Sequence, residues 1–168
     1  MASTLTVDNI VGATSSSNIH IPGHVVQVVN LPSTTLTRAA TTSTSYVASN
    51  IQNTITPKFA NSKLIVRCAT TGNNNTNSAE HMVYTYFRSI NGGSYSNLRT
   101  SSPDWGIGQV YSAASRIQVP LIAEIVDEPN TTDPITYKIY FKSYNGNTVE
   151  IPSTTTENLE MTIMEIAQ

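Results

Sequence analysis

Apolar and polar residues alternate with a period of two along most of this chain, the mark of strands with one face on a core. In ITYKIYFKSY, Ile135, Tyr137, Ile139 and Phe141 oppose Thr136, Lys138, Tyr140 and Lys142. KLIVRCA sets Leu64, Val66 and Cys68 against Ile65 and Arg67. EHMVYTYFRSI sets Met82, Tyr84, Tyr86 and Ile90 against Val83 and Phe87, and runs into INGGS, a hairpin signal because Asn and Gly accept positive φ at little cost. RIQVPLIAEIVDEP alternates at Ile117, Val119, Leu121, Ala123 and Ile125. Pro120 falls on its other face and predicts an edge strand or a bulge, since proline donates nothing to a ladder. SYVASNIQNTI carries Tyr46, Ile51 and Ile55, TLTVDNIV carries Leu5 and Val7, and NGNTVEIP offers a further turn and short strand. About eight to ten strands with turn signals between them predict an all-β, antiparallel β-sandwich of jelly-roll type. Helix signals are weak throughout.

Two segments are apolar on both faces. VVQVVN places Val25 and Val29 on one side and Val26 and Val28 on the other. NLEMTIMEIAQ places Leu159, Met161 and Ile163 on one side, then Met164 and Ile166 on the other. A bulge accounts for such a switch, and so does a strand covered by its own core on one side and by a neighbouring subunit on the other. Large exposed apolar patches are rare on monomers, so the second option predicts an oligomer with Val26, Val28, Met164 and Ile166 at its interface. The polar stretches TTGNNNTNSAE and SSPDWGIGQVYSAAS are expected to project as loops.

Composition narrows the function classes. The 168 residues suit one domain, and 39% are hydrophobic, enough to enclose a core. Ser, Thr and Asn make up roughly a third of the chain, far above ordinary usage, and suit strands and turns rather than helices. Only 12% of residues are charged and the net charge is −2, so no basic stripe offers itself to nucleic acid or to a membrane surface. So few titratable groups predict folding that depends weakly on pH. Cys68 is the one cysteine and is expected to act as a small buried hydrophobe. The N-terminus has neither the basic region nor the apolar core of a signal peptide, and no window is long and apolar enough to span a membrane.

Candidate chemistry is sparse. His20 and His24 are four apart, but Pro22 and Gly23 between them exclude a helix, so they make at best a weak metal site shared between copies at a symmetry axis. Glu124, Asp127, Glu128 and Asp133 flank a proline-rich hairpin and suit turns and solubility better than paired-carboxylate catalysis. WGIGQ lacks the Lys of a phosphate loop. No enzyme, cofactor or resident metal is expected. Trp105, the sole tryptophan, sits in SPDWGIGQVY. The commoner use of such a residue is to plug the end of a sandwich or an interface. The alternative is to stack on the apolar face of a sugar while Asp104 and Gln109 bind hydroxyls beside Tyr111. His81 is expected to be a half-buried polar contact.

Three segments, in this order, resemble a known family. SNIHIPGHVVQVV, NTITPKFANSKLIVRCATTG, and EIVDEPNTTDPITYKIYFKS with the closing MTIMEIAQ are similar to signatures of tail-fibre-like virion structural proteins of marine and cyanobacterial bacteriophages. The resemblance runs from about Ser17 to the end. It implies a β-rich, non-enzymatic virion protein made in the host cytoplasm, usually a homotrimeric fibre head or tip that attaches to a host-surface glycan or protein. It also implies an extended anchor and joint over 1–23 ahead of a sandwich head over 24–168, with Leu5, Val7 and Ile10 packing on other virion proteins or along a threefold axis. Only about twenty residues precede the joint where such proteins often carry a long stalk. That favours a short fibre, a tip, or a capsid decoration, cement or fibre-adaptor protein.

Overall fold

The structure is a computed structural model that describes residues 10–12, 21–31, 37–99, 105–153 and 159–168. Among them the strands are β1 (Val25–Leu31), β2 (Ala39–Thr41), β3 (Val47–Ile55), β4 (Lys63–Asn74), β5 (Glu80–Ile90), β6 (Ser96–Asn97), β7 (Gly108–Ser112), β8 (Ile117–Asp127), β9 (Ile135–Ser143), β10 (Val149–Ile151) and β11 (Glu160–Ile166), with no helix. All pairings are antiparallel. One sheet runs β1-β11-β4-β8, with the short β10 and β2 continuing beyond β11 beside the far end of β4. The other runs β3-β9-β5, and β7 and β6 share the remaining side of β5. Consecutive long strands thus change sheet repeatedly, and β1-β11-β4-β8 facing β3-β9-β5-β7 is the strand order of a jelly roll, the expected fold.

Period-two patterning builds the core. Leu64, Val66 and Cys68 of β4, Met82 and Tyr86 of β5, Ile135, Tyr137, Ile139 and Phe141 of β9, and Met161 and Ile163 of β11 are all buried between the sheets. Cys68 behaves as expected: burial pushes its thiol up to about 12, so it stays protonated. INGG forms the expected tight turn, with Asn91 at φ 50°, Gly92 at φ 71° and Gly93 N–H donating to the Ile90 carbonyl at 2.9 Å. Pro120 lies exposed on β8, an edge strand.

Side chains close the two open flanks. On one, Asn53 of β3 donates to the carbonyls of Val29 and Met161, and Gln27 of β1 donates to Thr56 O at 2.8 Å. On the other, Tyr86 donates to Ala123 O at 3.1 Å, and Arg88 of β5 pairs with Asp127 of β8 at 2.8 Å. Tyr137 donates to the same Asp127 at 2.6 Å; burial, and then the adjacent carboxylate, push its phenol up and keep it a donor. Among the expected acids, Asp127 therefore joins the sheets, and Glu128 pairs with Lys63 at 3.4 Å on the surface.

Three sequence expectations need correction. The bulge lies in β1, not β11: Val25 opposes Ile166 while Gln27 opposes Glu165, leaving Val26 as the extra residue. Val25 and Val28 therefore share the outer face, and Val29 turns inward onto the core, whereas alternation alone put Val25 with Val29. β11 alternates without interruption and is two-faced, with buried Glu165 continuing the inner row. TTGNNN is not a projecting loop, because β4 runs to Asn74. Asn73 and Asn74 are fully buried there, and Asn74 donates to the carbonyls of Glu80 and Val110 where the ladder runs out. GQVYS likewise is strand β7.

Two buried glutamates pin the ends. Glu150 of β10 accepts from Asn73 at 2.7 Å, Asn75 at 3.1 Å and Arg38. Glu165 accepts from the backbone N–H groups of Lys58 and Phe59, the Ser62 hydroxyl and Gln27, and so caps the turn between β3 and β4. Gly23 N–H donates to Ala167 O and Ala167 N–H to His24 O, so the Pro–Gly joint is tied to the end of the sandwich. Most of the expected anchor, Leu5 and Val7 included, lies outside the described residues, as does His20; Ile10 and His24 are exposed. No group of three potential metal-ligating side chains occurs among the described residues.

Candidate functional site

At one end of the β5–β7 side, four rings meet on the outer face of the sheet. His81 of β5 opposes Tyr111 of β7 in register, and β7 also carries Gln109. Trp105 lies in the turn entering β7, and Tyr144 follows β9. His81 is the hub: its ring lies 4.4 Å from Tyr111, 5.4 Å from Tyr144 and 5.7 Å from Trp105, centre to centre. Its Nδ1 is 3.0 Å from Gln109 Oε1. Trp105 and Tyr144 stack nearly parallel, 5.2 Å apart at 12°. Trp105, Tyr111 and Tyr144 remain 43%, 52% and 45% exposed. They therefore do not plug the sandwich; they form an open aromatic shelf.

The backbone below the shelf is closely fitted. Gly106 has φ 57°, and a Cβ there would lie 2.2 Å from the Tyr84 carbonyl. Glycine thus lets the Trp105 turn lie against β5, where Ile107 N–H donates to Tyr84 O at 2.9 Å. Glu80 holds the other side. It is fully buried and accepts from the N–H groups of Tyr144 at 2.8 Å, Asn145 at 3.0 Å, Asn147 at 2.9 Å and His81 at 2.9 Å. Burial alone would raise its carboxyl. The N–H groups of Asn145, Asn147 and Tyr144 and the Ser143 hydroxyl outweigh that and hold it below its ordinary value. One carboxylate thus fixes both the turn that presents Tyr144 and the start of the strand that presents His81.

Of the four sugar-binding candidates, Trp105, Gln109 and Tyr111 are brought together, and Asp104 lies outside the described residues. His81, Tyr144 and Glu80 escaped sequence reading as site residues. For His81 the signal was available, since it falls on the outer face of a legible strand. For Tyr144 and Glu80 it was not, because they meet across 64 residues of chain.

Beside the shelf, side chains on this sheet's outer face pack on one another. Phe87 and Tyr140 stack at 4.0 Å, Tyr46 meets Phe87 edge-on, and the Lys142 ammonium lies 5.0 Å from the Tyr46 ring centre. The shelf is where that aromatic layer opens to solvent.

The molecule is therefore a jelly-roll sandwich with a preformed, exposed aromatic surface at one end. No protein-family model matches the chain, and no curated protein matches it. It is similar, at 10% identity and a TM-score of 0.38, to a chain in the structure of infectious bursal disease virus, Gx strain. That match covers 99% of this chain, which spans 42% of the length of the viral one.

Proposed function

We propose that this chain is a virion structural protein of a bacteriophage, a homotrimeric tail-fibre or fibre-tip domain that attaches the particle to a host surface by binding glycan, without chemistry. The observation that carries the reading is the shelf: three exposed aromatics gathered around His81 from separate elements and held by a buried carboxylate. Exposed rings in such an arrangement favour a ligand with an apolar face and a hydroxyl rim, and Gln109 lies beside them to meet that rim. The described residues of the shelf include no Lys or Arg, which favours a neutral sugar over an acidic one. The ordered resemblance of three segments to phage fibre proteins supports the virion setting, and a jelly roll suits both viral and sugar-binding surfaces. Leu5, Val7 and Ile10 then serve as the contact with other virion proteins.

The second reading is a decoration, cement or fibre-adaptor protein, in which the apolar outer face of the β1-β11-β4-β8 sheet meets another virion protein rather than a second copy. Adsorption of the purified protein to host cells separates the two. Tyr111→Ala and Tyr144→Ala should each weaken adsorption at least about tenfold, a change equivalent to about 1.4 kcal/mol, with little change in melting temperature. Unchanged adsorption in both variants contradicts the role of the shelf. A wild type that does not adsorb, labelled on capsid faces rather than on the tail, favours the second reading.

A further inference from the structure

We infer that the outer face of the β1-β11-β4-β8 sheet packs against a second copy of this chain. The shelf belongs to the other sheet, so the inference stands independently of sugar binding. Register aligns one apolar residue from each of the four strands into a continuous bar. Val28 opposes Met164, Met164 opposes Ile65, and Ile65 opposes Val126. Val28 and Val126 are 54% and 62% exposed, and Met164 and Ile65 are half-buried. Val25 and Ile166 extend the patch at one end, and Ile122, 61% exposed beside Ala69, extends it at the other. Of the interface candidates read from sequence, Val28, Met164 and Ile166 lie on this face. Val26 is the bulged residue beside it.

Size and charge both point to a second copy. Strands spaced about 4.8 Å apart, with a rise of about 3.4 Å per residue along β4, give a face of roughly 19 by 27 Å, about 500 Å² in projection. That is more than half of the roughly 800 Å² per partner of a standard interface. Between the apolar rows lies Arg67, flanked in register by Thr162 and Glu124, with Glu160 two positions further along. All three charged side chains are exposed, and among the described residues Arg67 makes no ion pair. The face therefore carries a cation and acids of its own, so a second copy can offer acids to Arg67 and apolar rows to Val28 and Val126. One arginine among carboxylates, and a Lys63 already paired with Glu128, offer little to a phosphate-rich surface. Packing through this sheet leaves the shelf of every copy facing outward, so weak single-site sugar binding is multiplied by avidity.

The test is sedimentation of the full chain over a micromolar concentration range, beside Val28→Asp and Val126→Asp. Both positions are more than half exposed in the single copy, so a charge there leaves folding intact, which far-UV circular dichroism checks. The expected result is a wild type of two or more copies, with association weakened at least tenfold in each variant while both keep the wild-type strand spectrum. A wild type that sediments as one copy throughout overturns the inference and leaves the face to a different virion protein. Oligomers that persist unchanged in both variants overturn it as well.

Discussion

Replacing Glu165 with alanine is expected to lower the melting temperature by about 10 °C. The carboxylate is fully buried and gathers the Lys58 and Phe59 N–H groups at 2.8 and 3.1 Å, the Ser62 hydroxyl at 2.7 Å and the Gln27 amide at 2.6 Å. Alanine removes the acceptor and leaves those donors in place. Each donor so orphaned costs about 1–3 kcal/mol unless water reaches it, so a total near 3 kcal/mol is a conservative expectation. For a chain of this size each kcal/mol moves the midpoint by about 2–4 °C. Glu165→Gln keeps one acceptor oxygen but turns an amide N–H₂ toward the same donors, and should fall between wild type and alanine. Thermal unfolding of the three proteins at neutral pH checks the order. An alanine variant that melts with the wild type would show that the turn between β3 and β4 does not depend on this carboxylate.

The second large effect is on acid stability, and it links the fold to the shelf. Glu80 is held below its ordinary value of 4.5 in the folded chain, so the unfolded chain takes up its proton first as the pH falls. Its contribution is therefore complete above about pH 4.5 and is lost as the pH drops through the lower folded value. Wild-type melting temperature should fall as the pH drops below about 4.5. Glu80→Gln should melt lower at pH 7, by about 2–3 kcal/mol of stability, and show a flatter profile in acid. Its adsorption to host cells should weaken at least tenfold, because the Tyr144 turn loses the acceptor that fixes it. Parallel acid profiles for the two proteins would remove Glu80 from this role. The low count of titratable residues predicts weak pH dependence, and Glu80, placed where backbone donors converge, predicts a departure from it.

Much of this molecule is legible in one dimension. β5 and β9 alternate so cleanly that their inner and outer rows can be written down from the sequence, and Asn91–Gly92 marks its own turn. Trp105, Gln109 and Tyr111 lie within seven residues of one another, and their joint presentation follows once β7 is a strand. Other features carry no local signal. Val26 looks like any strand valine, yet as the bulged residue it reverses the facing of everything before it. Asn73 and Asn74 read as loop because their composition is polar. They are buried because Glu80, Glu150 and the Val110 carbonyl, all supplied by other strands, give them partners. Glu80 and Glu165 carry no local signal either, because all but one of the N–H donors described for them, the adjacent His81 N–H, lie 64 to 138 residues away. Tyr144 joins the shelf only because β9 runs beside β5.

Sugar binding at the shelf can be read from inside the site, since the chain's sole tryptophan is part of it. The measurement is a titration of Trp105 emission with neutral oligosaccharides from the host envelope, in wild type and in Tyr111→Ala. A saturable change is expected in wild type, needing at least tenfold more sugar in the variant. Trp105 emission that stays fixed at saturating sugar, in a protein that still adsorbs to host cells, would contradict sugar binding at the shelf.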